Sequence, residues 1–176
     1  MPVWLTGLLG LLLPVWFWLS QYMGWPFWLA GLLLLPLVWL RRDTVPSWLG
    51  WVAAALGLCA LGIRSDWPVK LYPVLVNLGF LLVFAWSLTS SQTVVERIAR
   101  LTEPDLPQIA VRYTRKVTIA WCVFFSINGL IALLTVFMSN QAWALYNGLI
   151  AYILMGIMFA AEYLIRCRVR SVGHGH

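Results

Sequence analysis

Two sets of polar residues in this chain have types and spacings that can do chemistry. Arg112, Arg115 and Lys116 stand at i, i+3 and i+4, which on a helix gathers them on one basic face. Such a face binds anions. It can anchor to lipid phosphates, at about 1 kcal/mol for each cation near an anionic membrane, or dock an acidic partner. Just upstream, Glu96 and Arg100 are spaced for an i,i+4 ion pair, and Glu103 and Asp105 follow in Glu103-Pro104-Asp105-Leu106-Pro107. Glu96, Arg100, Glu103, Asp105, Arg112, Arg115 and Lys116 together make a candidate surface for a partner or for lipid headgroups. The second set is Lys70, Tyr72, Asn77, Asn128 and Glu162, which interrupt or border apolar runs and form a candidate intramembrane polar site.

Ionisable groups inside a membrane are costly, so each is first treated as a functional candidate. Glu162, however, lies four residues before Arg166, in the order that favours a local ion pair, and a pair is expected there before a proton relay. Asn77, Ser126, Asn128 and Asn147 suit hydrogen bonds between helices, at about 0.6 kcal/mol each. A cavity lined by Asn77, Asn128 and Tyr146 is the alternative. Lys70 clusters with Arg64, Asp66 and Tyr72, where it either anchors a helix end beside Trp67 or binds an anionic headgroup or substrate.

What is missing narrows the chemistry further. The two histidines, His174 and His176, sit at the end of the chain. That excludes paired-histidine haem ligation between helices, desaturase-type histidine boxes and histidine-dependent acyl transfer within the bilayer. Cys59, Cys122 and Cys167 are odd in number and lack the CxxC spacing, so neither a disulfide framework nor a zinc site is expected. Phosphate-binding glycine loops are absent as well. No catalytic residue, metal or cofactor is therefore expected.

The elements that hold these residues are apolar helices. The chain has 176 residues, 62% hydrophobic and only 10% charged, against about 25% charged for a soluble domain. So little charge cannot cover a water-facing surface, and lipid is the expected solvent. The 12 tryptophans fit residence near lipid headgroups, and the net charge of +6 fits anchoring of helix ends better than nucleic acid.

Six stretches are apolar enough to span a bilayer: about 3–19, 25–40, 48–63, 71–88, 117–138 and 143–165. The first two carry Pro14 and Pro36 and read as a tight helical hairpin. No cleavable signal peptide is expected, because Met1 to Thr6 lacks a basic region and no A-x-A site follows. In the third stretch, Gly50/Ala54 and Ala53/Gly57 are small-residue pairs that let backbones approach closely. Between the fourth and fifth lies the long polar segment, 89–116. It opens with Thr93-Val94-Val95-Glu96, a capping-box pattern. A short amphipathic helix over 93–101 then places Val94, Val95, Ile98, Ala99 and Leu101 on one face, away from Arg97 and Arg100, so that it lies on the membrane surface. Pro107 suits the first turn of a second helix.

The cations set the orientation. Of the 12 Lys and Arg residues, Arg64 and Lys70 fall on one side. The other side holds Arg41, Arg42, Arg97, Arg100, Arg112, Arg115, Lys116, Arg166, Arg168 and Arg170. Positive-inside bias places the larger group, and with it both termini, in the cytoplasm. The expected fold is an all-α, single-domain polytopic integral membrane protein with six transmembrane helices.

Two stretches carry a resemblance. They are Lys70-Leu-Tyr72-Pro73-Val-Leu-Val-Asn77, and Glu96-Arg-Ile-Ala-Arg100-Leu-Thr-Glu103-Pro104-Asp105-Leu-Pro107 with Tyr113-Thr-Arg115-Lys116-Val-Thr-Ile-Ala-Trp121-Cys-Val-Phe124-Phe125-Ser-Ile-Asn128-Gly129. Together they resemble a family of bacterial inner-membrane proteins often encoded beside fatty-acid-synthase-like genes for aryl polyene pigments. Over about 113–165 the chain is also distantly similar to intracellular septation protein A. The first resemblance implies a setting in polyene-lipid or acyl-chain assembly at the inner membrane, and neither supplies a catalytic residue.

The expected role is an accessory one: a platform that lets cytoplasmic acyl-chain or envelope-biosynthesis enzymes work at the bilayer. Membrane lipids, acyl carrier protein and acyl-transferring enzymes are the partners this implies, and nucleic acid is not. The alternative is a small carrier or flippase for an amphipathic lipid intermediate.

Overall fold

The computed structural model describes Leu19 and residues 22–34 and 47–173. The stretch expected to span 3–19 lies outside the described residues except for Leu19. So do the end of the second stretch, Arg41, Arg42, and the two histidines. Among the described residues the secondary structure is helical throughout, with no strand. A 3₁₀ turn, Phe27–Ala30, leads into α1 (Gly31–Leu34). Then follow α2 (Ser47–Ile63), α3 (Trp67–Ser87), α4 (Val94–Thr102), α5 (Gln108–Val136), α6 (Asn140–Leu145), a π-helical turn (Tyr146–Ile150) and α7 (Ala151–Gly173).

Three of these stretches are long and apolar enough to cross a membrane: Trp67–Ser87, Gln108–Val136 and Asn140–Arg166. They cover nearly all of the expected fourth, fifth and sixth spans, and each begins earlier than hydropathy placed it. The fifth differs most. Leu106-Pro107 starts a helix whose first turn closes with the Val111 N–H on the Pro107 carbonyl at 3.1 Å, and no break separates this polar start from the apolar run. α2, with 17 residues, is apolar throughout but shorter than the other three. The expected second span begins as the short 3₁₀ turn and α1.

The described chain forms two compact units, Met1–Val76 with Gly129–Ala151 and Asn77–Asn128 with Tyr152–His176. In the first, Phe27, Ala60, Val69, Trp143 and Ala144 form a buried cluster, with Phe27 and Trp143 meeting edge-on at 5.4 Å. Ala53, Gly57 and Ala60 are a buried small-residue stripe on α2. Gly31 packs so closely against this stripe that a Cβ there would stand 2.8 Å from the Gly57 carbonyl oxygen and 3.2 Å from the Ala60 Cβ. The Ala53/Gly57 pair thus serves packing within the unit. The π-helical turn also belongs here. The Ala151 N–H reaches the Tyr146 carbonyl, five residues back. The Asn147 side-chain amide donates to the Trp143 carbonyl at 3.0 Å, the acceptor an α-helix would give to the Asn147 backbone.

The second unit is built on aromatic rings. Val95, Val117, Trp121 and Phe125 are buried together, with Phe80, Phe84, Phe124, Met155 and Met158 packed against them. Phe80 and Phe125 stack at 5.4 Å, and Trp121 meets Phe159 at 4.7 Å. Trp121 and Phe125 are therefore core residues, with Phe124 packed against them.

Packing at Gly31 yields a direct test. Gly31→Ala forces two helix backbones apart and is expected to cost about 1–3 kcal/mol. Gly156→Ala, whose new Cβ meets nothing within 4 Å, is expected to be neutral or stabilising by about 0.5–1 kcal/mol. Thermal unfolding in mild detergent separates the two, and equal midpoints would contradict this packing.

Candidate functional site

In the first unit, the loop from α2 into α3 builds an open cleft of about 580 Å³. Trp25, Pro26, Phe27 and Trp28 line one part of it, and Arg64, Ser65, Asp66, Trp67, Lys70 and Asn140 line the rest. Each polar member is placed by a local structural rule. Ile63 ends α2, and the Ser65 N–H returns to the Ala60 carbonyl at 3.3 Å, five residues earlier, as in a Schellman cap. That cap requires a left-handed residue at position 64, which is usually glycine. Here it is Arg64, with φ +51°, at a cost of about 1 kcal/mol. Asp66 then caps α3: its carbonyl accepts the Lys70 N–H at 3.0 Å, and its carboxylate accepts the Asn140 amide at 3.0 Å.

Lys70 is 8% exposed and is tied at both ends. Its ammonium donates to the Met138 carbonyl at 3.1 Å, and its own carbonyl accepts the Trp143 indole N–H at 3.1 Å. An ammonium has three donors, and one of them is spent on Met138. Arg64 is exposed and makes no ion pair among the described residues. The cleft is thus a small aromatic-walled space with two cations and one carboxylate.

The second unit holds most of the residues read as a docking surface. Thr93 accepts the Glu96 N–H through its hydroxyl at 3.3 Å, so the expected cap forms. The Ser87 hydroxyl accepts the Val94 N–H at 3.2 Å and fixes the approach to α4. Glu96 is buried, its carboxylate accepts Arg100 at 2.9 Å, and Arg100 also donates to the Pro104 carbonyl at 2.8 Å. These two residues lock the segment to itself. The apolar face of α4 is divided. Only part of it packs: Val95 is buried beside Glu96, while Ile98 and Leu101 are exposed, Leu101 at 85%. Glu103 and Asp105 are exposed.

Arg112, Arg115 and Lys116 are exposed on one side of α5, as spacing implied. Ile119, Val123 and Ile127 continue the same side and are exposed too. Their helical angles overlap, so the basic face and the exposed apolar stripe are one surface.

The five residues of the expected intramembrane polar site are divided between the two units. Lys70 and Tyr72 belong to the first unit; Asn77, Asn128 and Glu162 belong to the second. Asn77 and Asn128 are both buried, and the Asn128 amide donates to the Asn77 side-chain carbonyl at 2.9 Å. Glu162 accepts Arg166 at 2.9 Å, and the Glu162 main-chain carbonyl accepts the Tyr113 hydroxyl at 3.2 Å. Cys59 and Cys122 are free thiols.

The chain finds no match among known protein families, curated proteins or solved structures.

Sequence reading grouped Arg64, Asp66 and Lys70 beside Trp67 but not the whole cleft, because its walls come from three places in the chain. Asn140 and Trp143, which steady Asp66 and Lys70, carry no motif. Besides that local charge cluster, a further signal was Arg64 itself, a charged residue where a helix-ending glycine is usual. For the asparagine pair the expectation is quantitative. Asn77→Ala and Asn128→Ala should each destabilise the fold by about 1 kcal/mol, and the double variant should fall short of their sum by about 0.6–1.7 kcal/mol. Unfolding of all four proteins in detergent measures this, and strict additivity would remove the pair.

Proposed function

We propose that the protein is a six-span accessory protein of the bacterial inner membrane with both termini in the cytoplasm. Its segment 89–116 acts as a platform on which cytoplasmic enzymes of acyl-chain, polyene-lipid or envelope synthesis work at the bilayer. One observation carries the reading. Arg112, Arg115 and Lys116 are exposed together and make no ion pair among the described residues. They follow α4, a helix held by Ser87 and Thr93 at its start and by the Arg100–Pro104 contact at its end. A rigid cationic surface at the head of an apolar helix suits an acidic protein that must reach lipid-borne substrate, as acyl carrier protein or an acyl-transferring enzyme must. Positive-inside bias supports the orientation, and the resemblance to proteins encoded beside aryl-polyene genes supports the setting. No residue is assigned a catalytic role.

The cleft favours a second reading, a small carrier for an amphipathic lipid intermediate, because it joins cations to aromatic walls.

Charge reversal separates the two. Protein drawn from native membranes into lipid nanodiscs is expected to retain a stoichiometric acyl carrier protein, acyltransferase or synthase. The triple variant R112E/R115E/K116E is expected to lose at least tenfold of it, while Asn77→Ala retains it. Retention of an acyl or polyene lipid with no protein partner, unchanged by charge reversal, would replace the platform with the carrier.

A further inference from the structure

We propose that the cleft at the head of α3 is a binding site for the phosphate headgroup of an anionic lipid, with Arg64 and Lys70 as its cationic contacts. Charge is the first argument. Arg64 and Lys70 against Asp66 leave one net positive charge in the cleft, which matches the single negative charge of a phosphodiester. The Asp66 carboxylate is occupied by the Asn140 amide, so it braces the wall and does not neutralise Arg64 by direct pairing. The Lys70 ammonium is more than nine-tenths buried and lines the cleft, with one of its three donors on the Met138 carbonyl.

Position is the second argument. Lys70 lies in the first turn of Trp67–Ser87, a helix long and apolar enough to cross a membrane. The end of such a helix lies at headgroup depth, where Trp side chains concentrate. Trp25, Trp28 and Trp67 all face the cleft. Their rings offer apolar contact to a glyceryl backbone and its chains while the cations hold the phosphate. A volume of about 580 Å³ lies within the range of small-ligand sites.

The third argument is the backbone of Arg64. A positive φ at this helix end calls for glycine, and an arginine there trades local stability for a cation on the rim of the cleft. That trade gives the site an experimental signature opposite to that of misfolding. The inference requires α3 to lie in a bilayer, and it does not depend on the platform role of segment 89–116.

The test uses the full chain in detergent and in nanodiscs of phosphatidylcholine with or without phosphatidylglycerol. Native mass spectrometry counts the phosphatidylglycerol retained. Wild type is expected to hold one phosphatidylglycerol in preference to phosphatidylcholine. Arg64→Gly should bind it about tenfold more weakly while unfolding at a higher temperature. Arg64→Lys, which keeps the charge, should retain it within about threefold of wild type, a much smaller loss than the glycine variant shows. Equal retention by wild type and Arg64→Gly overturns the site. Displacement of the lipid by millimolar glycerol 3-phosphate overturns the lipid assignment in favour of a free phosphate. Resistance to carbonate extraction from native membranes tests the bilayer reading separately, and loss of a protein partner in R112E/R115E/K116E leaves this result untouched.

Discussion

The constraint on which the rest of this molecule depends is the scarcity of polar groups in a chain whose three long helices are apolar enough to cross a membrane. In lipid, a backbone or side-chain polar atom must find its partner within the protein. The described residues follow that rule closely. Thr114, Thr118, Ser126 and Thr135 all return their hydroxyls to carbonyls three or four residues earlier. Asn77 meets Asn128, Asn147 bridges Thr135 and Trp143, and Glu96 and Glu162 each take the arginine one turn on. A polar residue at the core of this chain is therefore a strut first. Among the charged groups left exposed, Arg64, Arg112, Arg115 and Lys116 are the cations of the cleft and of the α5 face.

The same constraint decides what can be read from sequence. Local pairings are legible because spacing alone sets them: the Thr93 cap on Glu96 and the Glu162–Arg166 pair appear where i,i+3 and i,i+4 rules put them. The three long helices are legible from apolar length. Contacts between distant segments are not. Lys70 and Met138 lie 68 positions apart, and Asn77 and Asn128 lie 51 apart. Nothing in either neighbourhood names the other. The division of the α4 face is equally hidden, since periodicity shows an apolar arc on a helix but not how much of that arc the core will take. Val95 lies where the core reaches, whereas Ile98 and Leu101 lie beyond it.

The glycines and aromatics divide the structural work in a way that follows from the absence of a hydrophobic drive between helices in lipid. Helices there are held by close contact and shape. In the first unit, closeness comes from subtraction: Gly31 against Gly57 and Ala60 lets two backbones nearly touch. The second unit gains it by addition, with Phe80, Phe84, Trp121 and Phe125 filling space by stacked and edge-on contacts. Sites that need a precise backbone, such as the capped turn at Arg64, lie in the first unit. The broad cationic face lies in the second.

That cationic face carries a physical consequence of its own. Arg112, Arg115 and Lys116 share their side of α5 with Ile119, Val123 and Ile127, all exposed. A straight helix whose apolar stripe meets acyl chains must bring the same side, one or two turns earlier, to the lipid phosphates, because 1.5 Å per residue leaves only about 5 Å per turn. Three cations at that depth would each gain about 1 kcal/mol against an anionic surface. A protein partner that uses them displaces lipid phosphate to do so, and gains only the difference between the two anions. Docking of the kind proposed for this face would thereby depend on the anionic lipid content of the membrane, and a partner delivering its own phosphorylated or carboxylated chain to the bilayer would meet the least competition where that content is low.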